Sequence, residues 1–222
     1  MVETLPVGAA RRGLPNPPSG QTRESGPPLE GLFLTPHPLE IEIGCGKGKF
    51  LLARAESEPR RNFLGVDRIS KWMKIGRTRG EKRRLENLRF IKAEIREFLQ
   101  SVPPESVAAF HIYFPDPWPK RRHRKRRLVT AEFLRNLYGR LKPGGFVHLA
   151  SDDADYFRQI KQAAAQSAEW AQREGMNERL VSPGVITNYE LKYQSAGKIL
   201  HYLELRKSVR NVSLPDPWGR GG

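Results

Sequence analysis

Apolar and polar positions are spread unevenly along the 222 residues. Between residues 39 and 207, short apolar runs alternate with longer stretches of helical period; neither pattern occurs in 1–38 or 208–222. Leu39–Ile43 reads as a first strand, followed by a turn with Gly44, Gly46 and Gly48, then a helix carrying Phe50, Leu51 and Leu52 that stops before Pro59. A second strand covers Asn62–Val66 and is closed by Asp67; a long basic helix is predicted over Ile69–Glu86, with Gly76 and Gly80 weakening the prediction. Leu88–Lys92 is a third strand and Glu94–Gln100 a short helix. Val107–Phe114 is apolar on both faces, so it is expected at the centre of a sheet. Thr130 is placed to cap a helix through Leu141; Pro143, Gly144 and Gly145 turn the chain into a strand over Phe146–Ala150. A helix is predicted over Asp153–Arg173, with Tyr156, Phe157, Ile160 and Ala164 on one face. The last two strands are expected at Arg179–Ser182 and Ile199–Leu205, a hairpin with a long insert. Strands alternating with helices predict a mostly parallel seven-stranded α/β sheet covered on both faces, with ligands beyond the carboxyl ends of the strands.

The flanks differ in composition. Residues 1–38 hold eight prolines and five glycines. Such a stretch buries too little surface to offset its ordering entropy, so it is expected to be a flexible arm, with Leu32–Leu34 as a docking point. Residues 208–222 read as a polar, Gly-rich tail. The folded domain is therefore expected at 39–207.

Charge narrows the class of partner. Thirty-nine Lys and Arg against 24 Asp and Glu give a formal net charge of +15, which favours an anionic partner, nucleic acid first and an anionic membrane surface second. No run approaches the roughly 20 apolar residues of a membrane span, and the N-terminus lacks a signal-peptide core. Cys45 is the lone cysteine, which excludes a disulfide framework and a thiolate metal site. A cytoplasmic protein is expected. Composition is silent on oligomeric state.

Two motifs carry candidate chemistry. In the first, Glu42-Ile43-Gly44-Cys45-Gly46-Lys47-Gly48 leaves a strand and opens a helix, and Asp67 closes the next strand. Glycines there let a ligand approach the backbone, and the acid is placed to accept hydrogen bonds from a ribose diol. A dinucleotide site would show G-x-G-x-x-G; this chain has G-x-G-x-G with Glu42 inside the strand. That combination resembles the first motif of S-adenosylmethionine (SAM) methyltransferases. Glu94, just after the third strand, stands where such enzymes place a polar group near the adenine, and equally where a helix would take a first-turn acid.

In the second motif, Phe114-Pro115-Asp116-Pro117-Trp118-Pro119 is followed by Lys120, Arg121, Arg122, His123, Arg124, Lys125, Arg126 and Arg127. A carboxylate held between prolines at a strand end meets seven cations in eight residues. Such a run is commonly a solvated face; at the rim of an expected active site it suits phosphates, with salt-dependent affinity. Trp118 is placed either to stack on a base or to cap the core. His123 lacks a second ligand at metal-binding spacing, so no metal site is expected.

With both motifs stated, the chain resembles the bacterial tRNA (guanine-N7)-methyltransferases over about residues 39–206. Phe114–Lys120 with His123 and Arg126-Arg127-Leu128 is the most specific part. Glu42 to Gly48, Ser151-Asp152, and Thr187-x-Tyr189-Glu190-x-Lys192 with Gly197 support it in the same order along the chain. The resemblance implies a Rossmann-like fold, SAM as cofactor and tRNA as partner, with transfer to guanine at tRNA position 46. It assigns Asp116 as catalytic residue and SAM contact, and Glu42, Gly44, Gly46, Gly48, Asp67 and Glu94 to SAM. Lys120, His123, Asp152, Thr187, Tyr189 and Glu190 go to the substrate, and Arg121, Arg122, Arg124, Lys125, Arg126 and Arg127 to the tRNA backbone. Asp67 stands where Glu is common, Glu94 where Asp or Asn is usual, and the Pro-rich arm has no clear counterpart.

Guanine N7 offers a lone pair and no proton, so Asp116 is expected to stabilise developing positive charge rather than act as a base. Asp152 or Glu190 would accept from N1–H and N2–H₂ of guanine, though Asp152 also stands where a helix cap is needed. Methylation of an exocyclic amine of RNA and simple RNA binding stay open as alternatives. Leu214-Pro215-Asp216-Pro217-Trp218 repeats part of the second motif but lacks its strand and its cations, and reads as coincidence or tail docking.

Overall fold

In the computed structural model, residues 29, 31–177, 185 and 187–209 are described. One seven-stranded sheet organises them, in the order β3-β2-β1-β4-β5-β7-β6. The strands are β1 (Leu39–Ile43), β2 (Asn62–Asp67), β3 (Leu88–Lys92), β4 (Val107–Tyr113), β5 (Leu141–Ser151), β6 (Trp170–Met176) and β7 (His201–Lys207). Strands β1 to β5 pair in parallel, while β7 runs antiparallel to both β5 and β6. The apolar strand Val107–Tyr113 is the central one, as expected. Strand order reverses between β1 and β4, which is where such sheets open a ligand crevice.

Six α-helices cover the described sheet: α1 (Lys49–Ser57), α2 (Ser70–Lys82), α3 (Ile95–Gln100), α4 (Ala131–Arg140), α5 (Ala154–Ala165) and α6 (Asn188–Ser195). Buried side chains fall into two clusters, one including Ile41, Phe98, Phe133 and Tyr156, the other including Phe50, Phe63, Met73 and Phe90. Thr130 caps α4 by accepting from the Phe133 amide at 3.2 Å. The glycines of α2 serve close packing: a Cβ on Gly76 would lie 2.8 Å from the Phe90 ring and 3.0 Å from the Lys47 carbonyl oxygen. Of the expected docking point Leu32–Leu34, Leu32 packs on the core together with Leu29, while Leu34 is exposed.

Three expectations are corrected. The helix predicted over Asp153–Arg173 ends at Ala165, and Trp170–Met176 forms edge strand β6. Most of its residues are exposed, and its centre is the polar Gln172-Arg173-Glu174, so it lacks the apolar alternation that marks a strand. The Pro143–Gly145 turn is instead a bulge inside β5, because Leu141 pairs with Val107 and Phe146 with Ala109. The basic helix stops at Lys82 rather than Glu86. The strand predicted at 179–182 and the repeated motif at 214–218 lie outside the described residues.

A polar chain threads the second cluster. Glu40 alternates with Ile41 on β1 and would read as solvent-facing, yet it is 1% exposed. It accepts from Arg54 at 3.3 Å and Arg61 at 3.1 Å, and lies 2.9 Å from His111 Nε2. His111 Nδ1 lies 2.9 Å from the Tyr113 hydroxyl, which is 3.0 Å from His148 Nδ1. Burial pushes the Glu40 carboxyl up, but the His111 bond and charge, with Arg54 and Arg61, outweigh it and hold it at about 2.

Candidate active site

Neighbouring strands β1 and β4 deliver the two motifs side by side. After β1, Gly44, Gly46 and Gly48 all take positive φ. Gly48 has a second constraint, since a Cβ there would sit 2.5 Å from Phe90. The Asp67 carboxylate fastens this turn: Oδ2 accepts from the Gly46 amide and Oδ1 from the Ile69 amide, both at 2.9 Å. One acid thereby links the glycine turn to the start of α2, and each oxygen keeps a further lone pair for a ligand. Buried Cys45 lies behind the turn; burial and the nearby Glu42 and Asp67 charges raise its thiol pKa well above the usual range.

After β4 the chain turns sharply. Phe114 has φ 51° and Trp118 φ 45°, both left-handed conformations that side chains avoid. Pro115, Pro117 and Pro119 fix the backbone between and beyond them. The Phe114 amide donates to the Ala150 carbonyl at 2.9 Å. Asp116 sits exposed at the tip. The basic run then forms a 3-10 helix over Arg121–Arg126, and its Arg126 guanidinium lies 5.0 Å from the Trp118 ring centre, with His123 edge-on at 5.8 Å. Trp118 is therefore packed between the loop and the basic helix.

Between the motifs lies a cavity of about 620 Å³, within the range of small-molecule sites. Its lining includes Gly44, Asp67, Glu94, Asp116, Arg126 and Tyr189. Glu94 lines the cavity and, as N-cap rather than first-turn acid, also caps α3, with Oε2 accepting from the Arg96 amide at 2.7 Å and the Glu97 amide at 3.2 Å.

Comparison with known proteins places the chain in a family. A methyltransferase family model matches residues 36–203. A tRNA (guanine-N(7)-)-methyltransferase of Syntrophotalea carbinolica is 37% identical over 201 residues, 86% of this chain and 84% of that protein. Another, from Rubrobacter xylanophilus, is 34% identical over 78% of each chain. The chain belongs to the tRNA (guanine-N7)-methyltransferase family. Solved structures share the fold at low identity. The 16S rRNA methyltransferase KamB has a TM-score of 0.54 at 19% identity, covering 77% of this chain and 88% of that one. A precorrin-6y C5,15-methyltransferase from Geobacter metallireducens has 0.53 at 14%, covering 78% and 81%.

The other candidates of this family member take distinct places. Glu42 is 5% exposed within β1. Thr187 and Glu190 form a reciprocal capping box on α6: the Thr187 amide donates to Glu190 Oε2 at 2.6 Å, and the Glu190 amide to Thr187 Oγ1 at 3.1 Å. Glu190 Oε1 accepts from the Tyr202 hydroxyl at 2.8 Å, and the residue is 2% exposed. Asp152 accepts from Lys198 Nζ at 2.6 Å, and that bond raises the lysine pKa. The cap of α5 is Asp153 rather than Asp152, with Oδ1 2.7 Å from the Tyr156 amide. Lys120, Arg121, Arg122, Arg124 and Lys125 are exposed on the basic helix or at its start.

Arg127 corrects an expectation. The resemblance groups it with the backbone-binding cations, yet it is 2% exposed and its guanidinium points inward. Nε donates to the Pro117 carbonyl at 2.7 Å, Nη1 to Gln159 Oε1 at 2.6 Å and Nη2 to Asp155 Oδ2 at 2.8 Å, over the Tyr156 ring at 4.7 Å. It ties the Asp116 loop to α5. Sequence also missed the aromatic group beside the cavity, where Phe114 lies 6.2 Å from Tyr189 and 5.4 Å from Tyr193, with Lys198 over Tyr193 at 4.4 Å. Phe114 and Tyr189 were visible within their motifs; nothing local marked Tyr193 or Lys198. Among the described residues, no group of three or more His, Cys, Asp or Glu could hold a metal ion, and no helix is long and apolar enough to cross a membrane.

Proposed function

We propose that this protein transfers the methyl group of SAM to N7 of guanine 46 in tRNA. The observation that carries it is the convergence of the glycine turn, Asp67, Glu94 and Asp116 on one cavity, in a chain 37% identical to a tRNA (guanine-N(7)-)-methyltransferase. The residues present fit SAM. The open side of Gly44 and Gly46 leaves room for a ligand against the backbone; Glu42 and Asp67 would hold its charged amino-acid and ribose groups, and Glu94 the adenine side. Bound there, SAM supplies an electrophilic methyl on a sulfonium.

The protein's own task is alignment and charge. Guanine N7 needs no deprotonation, so Asp116 acts as a fixed negative charge beside a purine ring that becomes cationic. Prolines and the Arg127 tether hold that charge in place, which preserves the in-line approach. Of the two candidate acceptors for guanine N1–H and N2–H₂, Asp152 is the accessible one: its resident donor is the exposed Lys198, which the base replaces or joins. Glu190 is 2% exposed and bonded through both oxygens to the Thr187 amide and the Tyr202 hydroxyl, so it holds the start of α6. Adenine, lacking that donor pair, leaves the Asp152 carboxylate poorly matched. Tyr189 and Phe114 offer ring faces to the extruded base, and Lys120 to Lys125 with Arg126 meet its phosphates.

The test is incubation with unmodified tRNA and labelled SAM, followed by mapping of the modified base. Label at guanine 46, in an alkali-labile N7-methylguanine, is expected. Label on an exocyclic amine, or at another position, would replace this assignment.

A further inference from the structure

The known motifs leave one charged surface unused. Residues 68–84 contain eight Lys or Arg against the single acid Glu81. With the seven cations of 120–127, these two segments hold fourteen of the chain's fifteen net positive charges. Both touch the cavity, one through Arg68 and the other through Arg126.

The geometry of α2 sorts its residues cleanly. Met73, Gly76 and Gly80 are buried against the sheet. Lys71, Lys74 and Lys82 are exposed and, at 3.6 residues per turn, fall within ~80° of one another on the opposite side. At ~1.5 Å per residue they form a row ~16 Å long. None of the three joins an ion pair among the described residues, whereas neighbouring Arg83 pairs with Glu56 at 2.8 Å.

Lys82 lies in the last turn, where the dipole favours a cation, but the N-terminal part of this arrangement opposes helix stability. The first turn of α2 has no acid but carries Lys71, at the end where the helix dipole favours negative charge. Lys71 and Lys74 are like charges one turn apart, which costs ~0.2–0.5 kcal/mol. A merely solvated helix face would interleave acids. Uncompensated cations on a rigid, sheet-packed helix, continuous with the cavity rim, match a polyanion. RNA suits them better than a bilayer, because the apolar side of the helix is used against the sheet and cannot insert.

We propose that the exposed face of α2 is a second phosphate-binding surface, engaging the backbone of the same tRNA whose guanine enters the cavity. This rests on tRNA being the substrate. The tRNA then straddles the cavity, with the basic 3-10 helix on one side and α2 on the other.

The test compares Lys71→Gln/Lys74→Gln/Lys82→Gln with Arg135→Gln/Lys142→Gln/Arg173→Gln, which removes the same charge elsewhere. SAM affinity by calorimetry establishes that each variant is folded. For the α2 variant, KM for tRNA is expected to rise ~10-fold with kcat retained, and the slope of log affinity against log salt to fall by ~2 to 3, as for three lost phosphate contacts. The control should keep the wild-type slope. A slope and KM equal to the control would overturn the proposal. So would unchanged tRNA binding accompanied by loss of binding to phosphatidylserine vesicles, which would assign the face to membrane. If wild type methylates no tRNA, the substrate assignment fails; the binding slope on tRNA still tests α2 separately.

Discussion

Arg127→Met removes the tether of the Asp116 loop while keeping most of the side-chain volume. Three hydrogen bonds disappear: those to the Pro117 carbonyl, the Gln159 amide oxygen and Asp155, of which Asp155 keeps Arg124 as a partner. Breaking a fully buried ion pair costs ~3–5 kcal/mol. Here Asp155 has a side chain 38% exposed and can rehydrate, and Arg124 lies 3.1 Å from it. The ionic part is therefore small, and the loss is set mainly by the Pro117 and Gln159 bonds, ~2 kcal/mol together. The larger effect is on rate. Phe114 and Trp118 occupy unfavourable backbone conformations that persist only while the surroundings impose them. Once Pro117 is released, Asp116 moves, and a 1 Å misplacement costs ~100-fold. Single-turnover methylation of tRNA, measured well below the melting temperature, should fall by about that factor. KM for tRNA and the salt slope should hardly change. Arg127→Lys keeps the charge but cannot reach all three acceptors, so it should rescue stability better than rate. If Arg127→Met instead raised KM, flattened the salt slope and kept full kcat, Arg127 would be an RNA contact and the tether would be refuted.

Asp116→Asn keeps the shape and removes the charge, so kcat should fall ~100-fold or more while SAM affinity survives in large part; full turnover in that variant would exclude electrostatic stabilisation. The Glu40 carboxyl, held at about 2 against an ordinary 4.5, is a lowered pKa. Its contribution is present in full above pH 4.5 and lost as pH falls towards 2, on the order of 3 kcal/mol. Urea unfolding across that window should show wild type losing stability relative to Glu40→Gln, and parallel pH profiles would contradict the buried network.

The first five strands, the central place of β4 and the placement of both motifs were legible because each strand is a short apolar-rich run, β4 apolar on both faces, and glycine or acid stands at the carboxyl ends of β1 and β2. Thr130 was legible because capping is local chemistry. The failures have tertiary causes. Strand β6 has no apolar face to announce it, since pairing with β7 along one edge is what makes it a strand. Arg127 was hidden among six Lys and Arg in the same run; only the fold decides which of seven cations turns inward. Glu40 alternates with isoleucines as a surface residue would, until α1 covers that face. The surroundings of Asp152 and Glu190 depend on Lys198, 46 residues on from Asp152, and on Tyr202, which β7 brings under α6.

The adjacency of β1 and β4 has an evolutionary side. On the proposed function, the cofactor cavity and Asp116 are carried at the ends of two strands locked together by ladder hydrogen bonds, so their separation is set by the sheet itself. Of the proposed tRNA-contacting elements, the basic 3-10 helix follows Asp116 directly, whereas the other two hang from separate attachments: α2 on the outer strands, α6 in the connection between β6 and β7. Those can lengthen, shorten or change charge without moving the acid relative to the donor. A lineage can therefore revise which RNA it grips while the bond-making geometry is inherited intact.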